Sequence, residues 1–218
     1  MPRLFPARDL QRFHAARFLT SAAAPAQFPA DIGAEVAFVG RSNAGKSSAI
    51  NAIAQRQGLA RVSKAPGRTR LLNFFELTPE RRLVDLPGYG YASAPAAERR
   101  TWPTLIDALR TRASLKGLFV VVDARRGVTE ADEGLLAWAQ PTHRVHVLLS
   151  KADKLSRSDA AATLRATSER LSGRATAQLF SAQSGIGVRE AQDVLAAWLS
   201  GDPPAGRRPN ADEPQDRG

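Results

Sequence analysis

The sequence predicts an α/β fold built on a mostly parallel sheet, and three observations lead there. Short apolar runs alternate with stretches of helical period from "EVAFV" at Glu35 to "GVREAQDVLAAWLS" near the end. Two runs, "LLNFFEL" and "RRLVDL", are separated only by a turn at "TPE", too short for a crossover, and so must pair antiparallel. The chain has 218 residues, 43% of them hydrophobic, enough to bury the core of one sizeable domain with extensions.

In chain order, "EVAFV" is a strand that runs through "GRSNAGKSS" into a helix from Lys46 to about Gln55. The hairpin follows. "AAERRTWPTLIDALRTRA" has helical spacing, with Pro103 at a bend or a helix start because proline has no amide to donate. Then come "KGLFVVVDA" as a buried strand, "TEADEGLLAWA" as a helix and "RVHVLLS" as a strand. "SDAAATLRATSERLSG" as a helix, "ATAQLFSA" as a strand and the final helix complete the pattern. The sum is a six-stranded, doubly wound sheet with one antiparallel strand and helices on both faces. In such sheets ligands bind at the carboxyl ends of the strands.

Residues 34–200 form the domain on this reading. Residues 1–33 are rich in Arg and Ala, which fits either an organelle transit peptide or a basic arm. The arm is the better reading, with Phe13, Phe18 and Leu19 packing it on the domain. Residues 201–218, dense in Pro, Gly and charge without a bulky apolar residue, are expected to be disordered.

The absence of cysteine excludes disulfides and Cys-ligated metal, and no apolar run reaches the length of a membrane span. A soluble, cytoplasmic monomer with no membrane partner is expected. The net charge of +10, from 31 Lys and Arg against 21 acids, favours polyanionic partners. Positive charge gathers at Arg56, Arg61, Lys64, Arg68, Arg70, Arg81 and Arg82, opposed there by Glu76 and Glu80.

Chemistry concentrates at the strand ends. "GRSNAGKSS" has the form G-x-x-x-x-G-K-S between a strand and a helix. Gly40 and Gly45 allow the turn, the amides of Arg41, Ser42, Asn43 and Ala44 face phosphate oxygens, and the helix that includes Ser48 adds its positive end. Lys46 reaches the β- and γ-phosphates, and the Ser47 hydroxyl suits a Mg²⁺ that bridges them.

"DLPG" gives D-x-x-G. Asp85 is placed to hold Mg²⁺ through water, and Gly88, after Leu86 and Pro87, to sense a γ-phosphate with its amide. "SKAD" brings Ser150, Lys151, Ala152 and Asp153 to a third strand end. A carboxylate there accepts two hydrogen bonds from the guanine edge while the Lys stem covers the base. Ser181 and Ala182 close the last strand, where a backbone amide meets guanine O6. In this order the four signals point to GTP or GDP with Mg²⁺.

The strings "EVAFVGRSNAGKSSAINAIA", "APGRTR", "LVDLPGYGYA" and "LLSKADKL" closely resemble the EngB (YihA/YsxC) family of bacterial ribosome-biogenesis GTP-binding proteins, among the Era-like P-loop GTPases. The resemblance covers about Ala15 to Leu199. It implies a Ras-like GTPase fold, GTP hydrolysis with Lys46, Thr69 and Gly88 as the catalytic set, and a nucleotide-dependent role in assembling the large ribosomal subunit from rRNA and ribosomal proteins. It further implies that Thr69 of "PGRT", after Gly67 and Arg68, presents its hydroxyl and carbonyl to Mg²⁺ and the γ-phosphate.

Two departures stand out. Ser150 replaces the usual Asn or Thr and has less reach toward the phosphate loop. Tyr89 stands where many GTPases carry a water-orienting Gln, which implies slow hydrolysis. Asn43 matches an asparagine that ligates K⁺ in potassium-activated relatives, or else caps its loop. The histidines are scattered, the tryptophans suit packing, and Asp107, Asp123 and Asp132 show no partner pattern. Two other readings remain. A P-loop small-molecule kinase has no use for the "SKAD" motif. A nucleotide-independent RNA-binding protein does not require Lys46, Ser47 and Asp85 to be intact.

Overall fold

A computed structural model describes residues 13, 15–61, 71–89, 104–139 and 143–200. Its strands are β1 (Arg17–Ala22), β2 (Ala34–Gly40), β3 (Leu72–Thr78), β4 (Arg81–Asp85), β5 (Leu115–Asp123), β6 (Arg144–Ser150) and β7 (Thr176–Leu179). Helix α1 is Lys46–Ile53 and residues 104–110 form α2; α3 is Glu130–Trp138, α4 Arg157–Leu171 and α5 Val188–Ser200.

The strands join one sheet in the order β1-β3-β4-β2-β5-β6-β7. β3 pairs antiparallel with both β1 and β4, and the other neighbours pair parallel, so β3 alone runs against the rest. The α/β class and the single reversed strand are as expected. The strand count is seven, not six, because Arg17–Ala22 forms an edge strand. Its sequence, RFLTSA, lacks the alternation that marks a strand, since an edge position leaves most of it outside the core.

Alternation along β2 sends Val36 and Phe38 to one face and Ala37 and Val39 to the other. The first face is covered by α1 and α5 through Ile50, Ile53, Leu195 and Trp198. Leu105, Ile106 and Leu109 of α2, Leu136 of α3 and Leu171 of α4 cover the second. Phe119 sits at the centre of the first, 5.0 Å from both the Phe38 ring and Trp198.

Phe13 is buried, whereas Phe18 is 56% exposed but sets its ring edge-on to Phe75 at 6.2 Å, and Leu19 is 38% exposed. The basic run from Arg56 to Arg82 is not all free surface charge. Arg82 is buried, donating to Glu35 at 2.8 Å, and Arg112 binds the same carboxylate at 2.7 and 2.9 Å. Arg56 donates to the Ala16 carbonyl. Lys64, Arg68 and Arg70 lie outside the described residues, as do His14, Trp102, Pro103 and the tail 201–218.

Candidate functional site

β2 ends at Gly40 and the chain turns through residues 41–45 into α1. Asn43 (φ 62°) and Gly45 (φ 99°) take left-handed backbone, and Gly45 is the N-cap of α1. A glycine cap has no side chain to offer, so the first amides of α1 lack the side-chain partner that usually closes a helix start. The positive end of the helix is open to an anion. Ser47 and Ser48 lie half-buried in its first turn.

Lys46 and Asp85 are 8% and 3% exposed, and their side chains form an ion pair. Burial pushes the Asp85 carboxyl up, opposed by the Lys46 ammonium and by a hydrogen bond from Asn73 on β3. A buried acid and base paired with each other suit a site that receives a charged ligand, because phosphate oxygens and a divalent cation would serve each group in turn. Leu86 and Pro87 lead from Asp85 to Gly88, which packs on Ser42.

The other half of the site joins the ends of β6 and β7. Ser150 is buried, and its hydroxyl is shared between the carbonyls of Ala44 and Val122. The serine therefore does reach the phosphate loop, contrary to what its shorter side chain suggests. Lys151, at φ 59°, donates to the Asn43 carbonyl at 2.7 Å and to Asp123 at 3.0 Å. The Ala152 amide donates to Phe180 O. Asp153 accepts from the Ser181 hydroxyl at 2.6 Å, which holds its carboxyl below the usual range. Ala182 is exposed on the rim.

A cleft of about 690 Å³ runs between these residues and α1, lined by Gly45, Ser48, Ser150, Lys151, Asp153 and Ala182 among others. The predicted residues from the phosphate loop, Asp85 to Gly88, and the β6 and β7 ends are thus gathered at one end of the sheet. Gly67, Arg68 and Thr69 lie outside the described residues.

Sequence reasoning passed over three aspartates that do have partners. Asp123 at the end of β5 holds Arg125 by two side-chain bonds, 2.9 and 2.6 Å, and also Lys151; Arg125 first and Lys151 after it keep its carboxyl well below the ordinary range. Asp132 accepts from the Tyr89 hydroxyl. Asp107 accepts from Trp138 Nε1 at 3.4 Å. None of the three forms an acid–base pair for catalysis. Among the described residues no cluster of His, Cys, Asp or Glu gathers to hold a metal, and no helix is long and apolar enough to cross a membrane.

A family model described as "50S ribosome-binding GTPase" matches residues 35–151. The "Probable GTP-binding protein EngB" of Coxiella burnetii (strain CbuK_Q154) is 48% identical over 196 residues, 88% of this chain and 96% of the relative. The protein of that name in Azoarcus sp. (strain BH72) is 49% identical over 205 residues, 89% and 98% of the two chains. A crystal structure of an EngB GTP-binding protein matches with a TM-score of 0.62 at 21% identity, covering 77% of this chain and 100% of that one, a likeness of fold.

Proposed function

The chain belongs to the EngB family of GTP-binding proteins, and on that premise we propose that it is a slow GTPase acting as a nucleotide-dependent assembly factor for the large ribosomal subunit. Family membership carries guanine-nucleotide binding and replaces the small-molecule-kinase and nucleotide-independent readings. The observation that carries the site assignment is the tie between its two halves. Ser150 and Lys151 bond the carbonyls of Ala44 and Asn43, so the base-reading loop is fixed against the phosphate loop.

In this reading the amides of residues 41–48 hold the phosphates, Lys46 exchanges Asp85 for the β- and γ-oxygens, and Asp153 with Lys151 reads guanine. Ser47, Asp85 and Thr69 would hold Mg²⁺, which when bound neutralises charge on the phosphates. Gly88 offers its amide to the γ-phosphate. Tyr89, with its hydroxyl proton committed to Asp132, does not offer the amide with which Gln orients water, so unassisted turnover is on the order of 10⁻⁴ to 10⁻² per second. K⁺ at Asn43 would supply the missing positive charge.

The large subunit is named by the family model's description, and the positive net charge suits an RNA target. The test is titration with GTP, GDP and ATP, then co-sedimentation with separated ribosomal subunits under GTP analogue, GDP and no nucleotide across a salt series. Selective, salt-sensitive binding to the large subunit or its precursor with GTP analogue is expected. Equal binding to both subunits in every nucleotide state would reject the assembly role. Hydrolysis that is indifferent to replacing Na⁺ by K⁺ would remove the cation.

A further inference from the structure

The segment after Asp85 stays zipped to β2 and the phosphate loop. Leu86 N–H donates to Phe38 O at 3.1 Å, Ser42 N–H donates to Tyr89 O at 3.0 Å, and Arg41 and Tyr89 form a parallel bridge. Between these bonds lies Gly88, so near that a Cβ on it would stand 3.0 Å from Ser42 Cα and 3.2 Å from Ser42 N. The Ser42 amide, one of the loop amides assigned to phosphate oxygens, is thereby taken by Tyr89 O, and Gly88, whose amide is assigned to the γ-phosphate, is held against the loop. On that assignment a third phosphate would have to part Ser42 from Tyr89 to gain these donors at about 2.9 Å, whereas a diphosphate held by the rest of the loop would not.

What keeps it closed is a side chain from another part of the chain. The Tyr89 hydroxyl donates to Asp132 Oδ1, while Oδ2 of the same buried carboxylate accepts the Thr129 amide at 2.7 Å and the Thr129 hydroxyl at 2.6 Å. Asp132 is thereby fixed at the start of α3, independent of the nucleotide, and Tyr89 is anchored to it. Burial and the neighbouring carboxylate push the Tyr89 hydroxyl up, so it keeps its proton as a donor.

We propose that Asp132, through Tyr89, sets the preference between GDP and GTP by holding Gly88 closed on Ser42. The proposal rests on the GTPase reading of this site. A ligand that binds only the open form has its affinity reduced by the fraction of molecules that are closed, whereas a ligand accepted by both forms does not. Each bond that favours closure therefore weakens GTP and spares GDP.

The test measures the affinities of the full chain, with Mg²⁺, for GDP and for a GTP analogue with a non-hydrolysable β–γ bridge. Tyr89→Phe, which removes one hydroxyl and keeps the ring, should raise the analogue-to-GDP affinity ratio about fivefold to tenfold, with GDP affinity within about twofold of wild type. Asp132→Asn, which keeps an acceptor for Thr129 and loses the charge, should move the ratio the same way by less. Thr129→Val, which keeps the amide bond to Asp132 and loses the hydroxyl's, should lower the melting temperature but move the ratio much less than Tyr89→Phe, which separates the tie from simple support of α3. A ratio unchanged in Tyr89→Phe, or shifted equally in Thr129→Val, would overturn the proposal. Failure of the wild type to bind either guanine nucleotide would overturn the GTPase reading and the proposal with it.

Discussion

On the base side of the cleft the singled-out polar side chains already hold the partners that orient them, whereas on the phosphate side the chain's own groups occupy each other. Ser150, Lys151 and Asp153 are bonded to Ala44, Asn43 and Ser181, and Asp153 also pairs with Lys154 at 3.2 Å. Lys46 has Asp85, and Ser42 has Tyr89, partners that a triphosphate would displace on the proposed reading. Pre-organisation on one side lets base contacts act at full strength, while rearrangement on the other makes the phosphate end responsive to what is bound. On the proposed reading one half recognises and the other half reports.

The sharpest way to break this contrast is to remove Lys46. Lys46→Met leaves Asp85 buried without its partner and should destabilise the nucleotide-free protein by roughly 3–5 kcal/mol in denaturant titration, as well as abolishing detectable nucleotide binding. Lys46→Met with Asp85→Leu should regain most of that stability but no binding. If the single variant melts like wild type, the phosphate side is not self-paired. Next in size, Asp153→Asn should erase discrimination against ATP, which in the wild type is at least about tenfold by competitive titration. Equal competition by ATP and GTP in the wild type would show that the base side does not read guanine.

Ser150→Ala tests pre-organisation itself. Loss of the hydroxyl leaves the Ala44 carbonyl without this donor and should weaken GDP and GTP by a similar factor, roughly tenfold, in calorimetric titration. An effect confined to GTP would place Ser150 with the responsive half instead. The smallest effect concerns neither half. His146 is buried between Thr176 and Gln178, and burial pushes its imidazole down to about 4. The unfolded chain, with an ordinary value near 6.5, binds the proton first, so stability is full above that pH and declines as pH falls toward 4. The loss should be about 1 kcal/mol at pH 5.5, and His146→Gln should flatten that slope in thermal melts. A slope retained in the variant would assign it to other groups.

The parts that were legible in the sequence are those that local chemistry dictates. The strand, glycine turn and helix around Lys46 and the hairpin at "TPE" fall within a few residues of their predicted places. The strand ends that carry Asp85 and Lys151 do so too, because apolar period and turn residues act over short range. The missed features are long-range. Asp132 lies 43 residues from Tyr89 and the carbonyl of Ala44 lies 106 residues from Ser150, so no spacing rule joins them. Whether Ser150 reaches the loop depends on how β2 and β6 flank β5 in the sheet. Arg82 reads as one more surface charge until the buried Glu35 beside it is seen.

Two of the three tryptophans, both among the described residues, make unlike optical reporters. Trp198 is 2% exposed in the core against Phe119, so its emission should be blue-shifted and should change only when the whole domain unfolds. Trp138, half-buried, closes the C-terminal end of the helix whose first turn holds Asp132. With Trp198 and Trp102 replaced by Phe, fluorescence from that end would follow α3 as Tyr89 is released, giving a label-free time course for the proposed step that separates diphosphate from triphosphate.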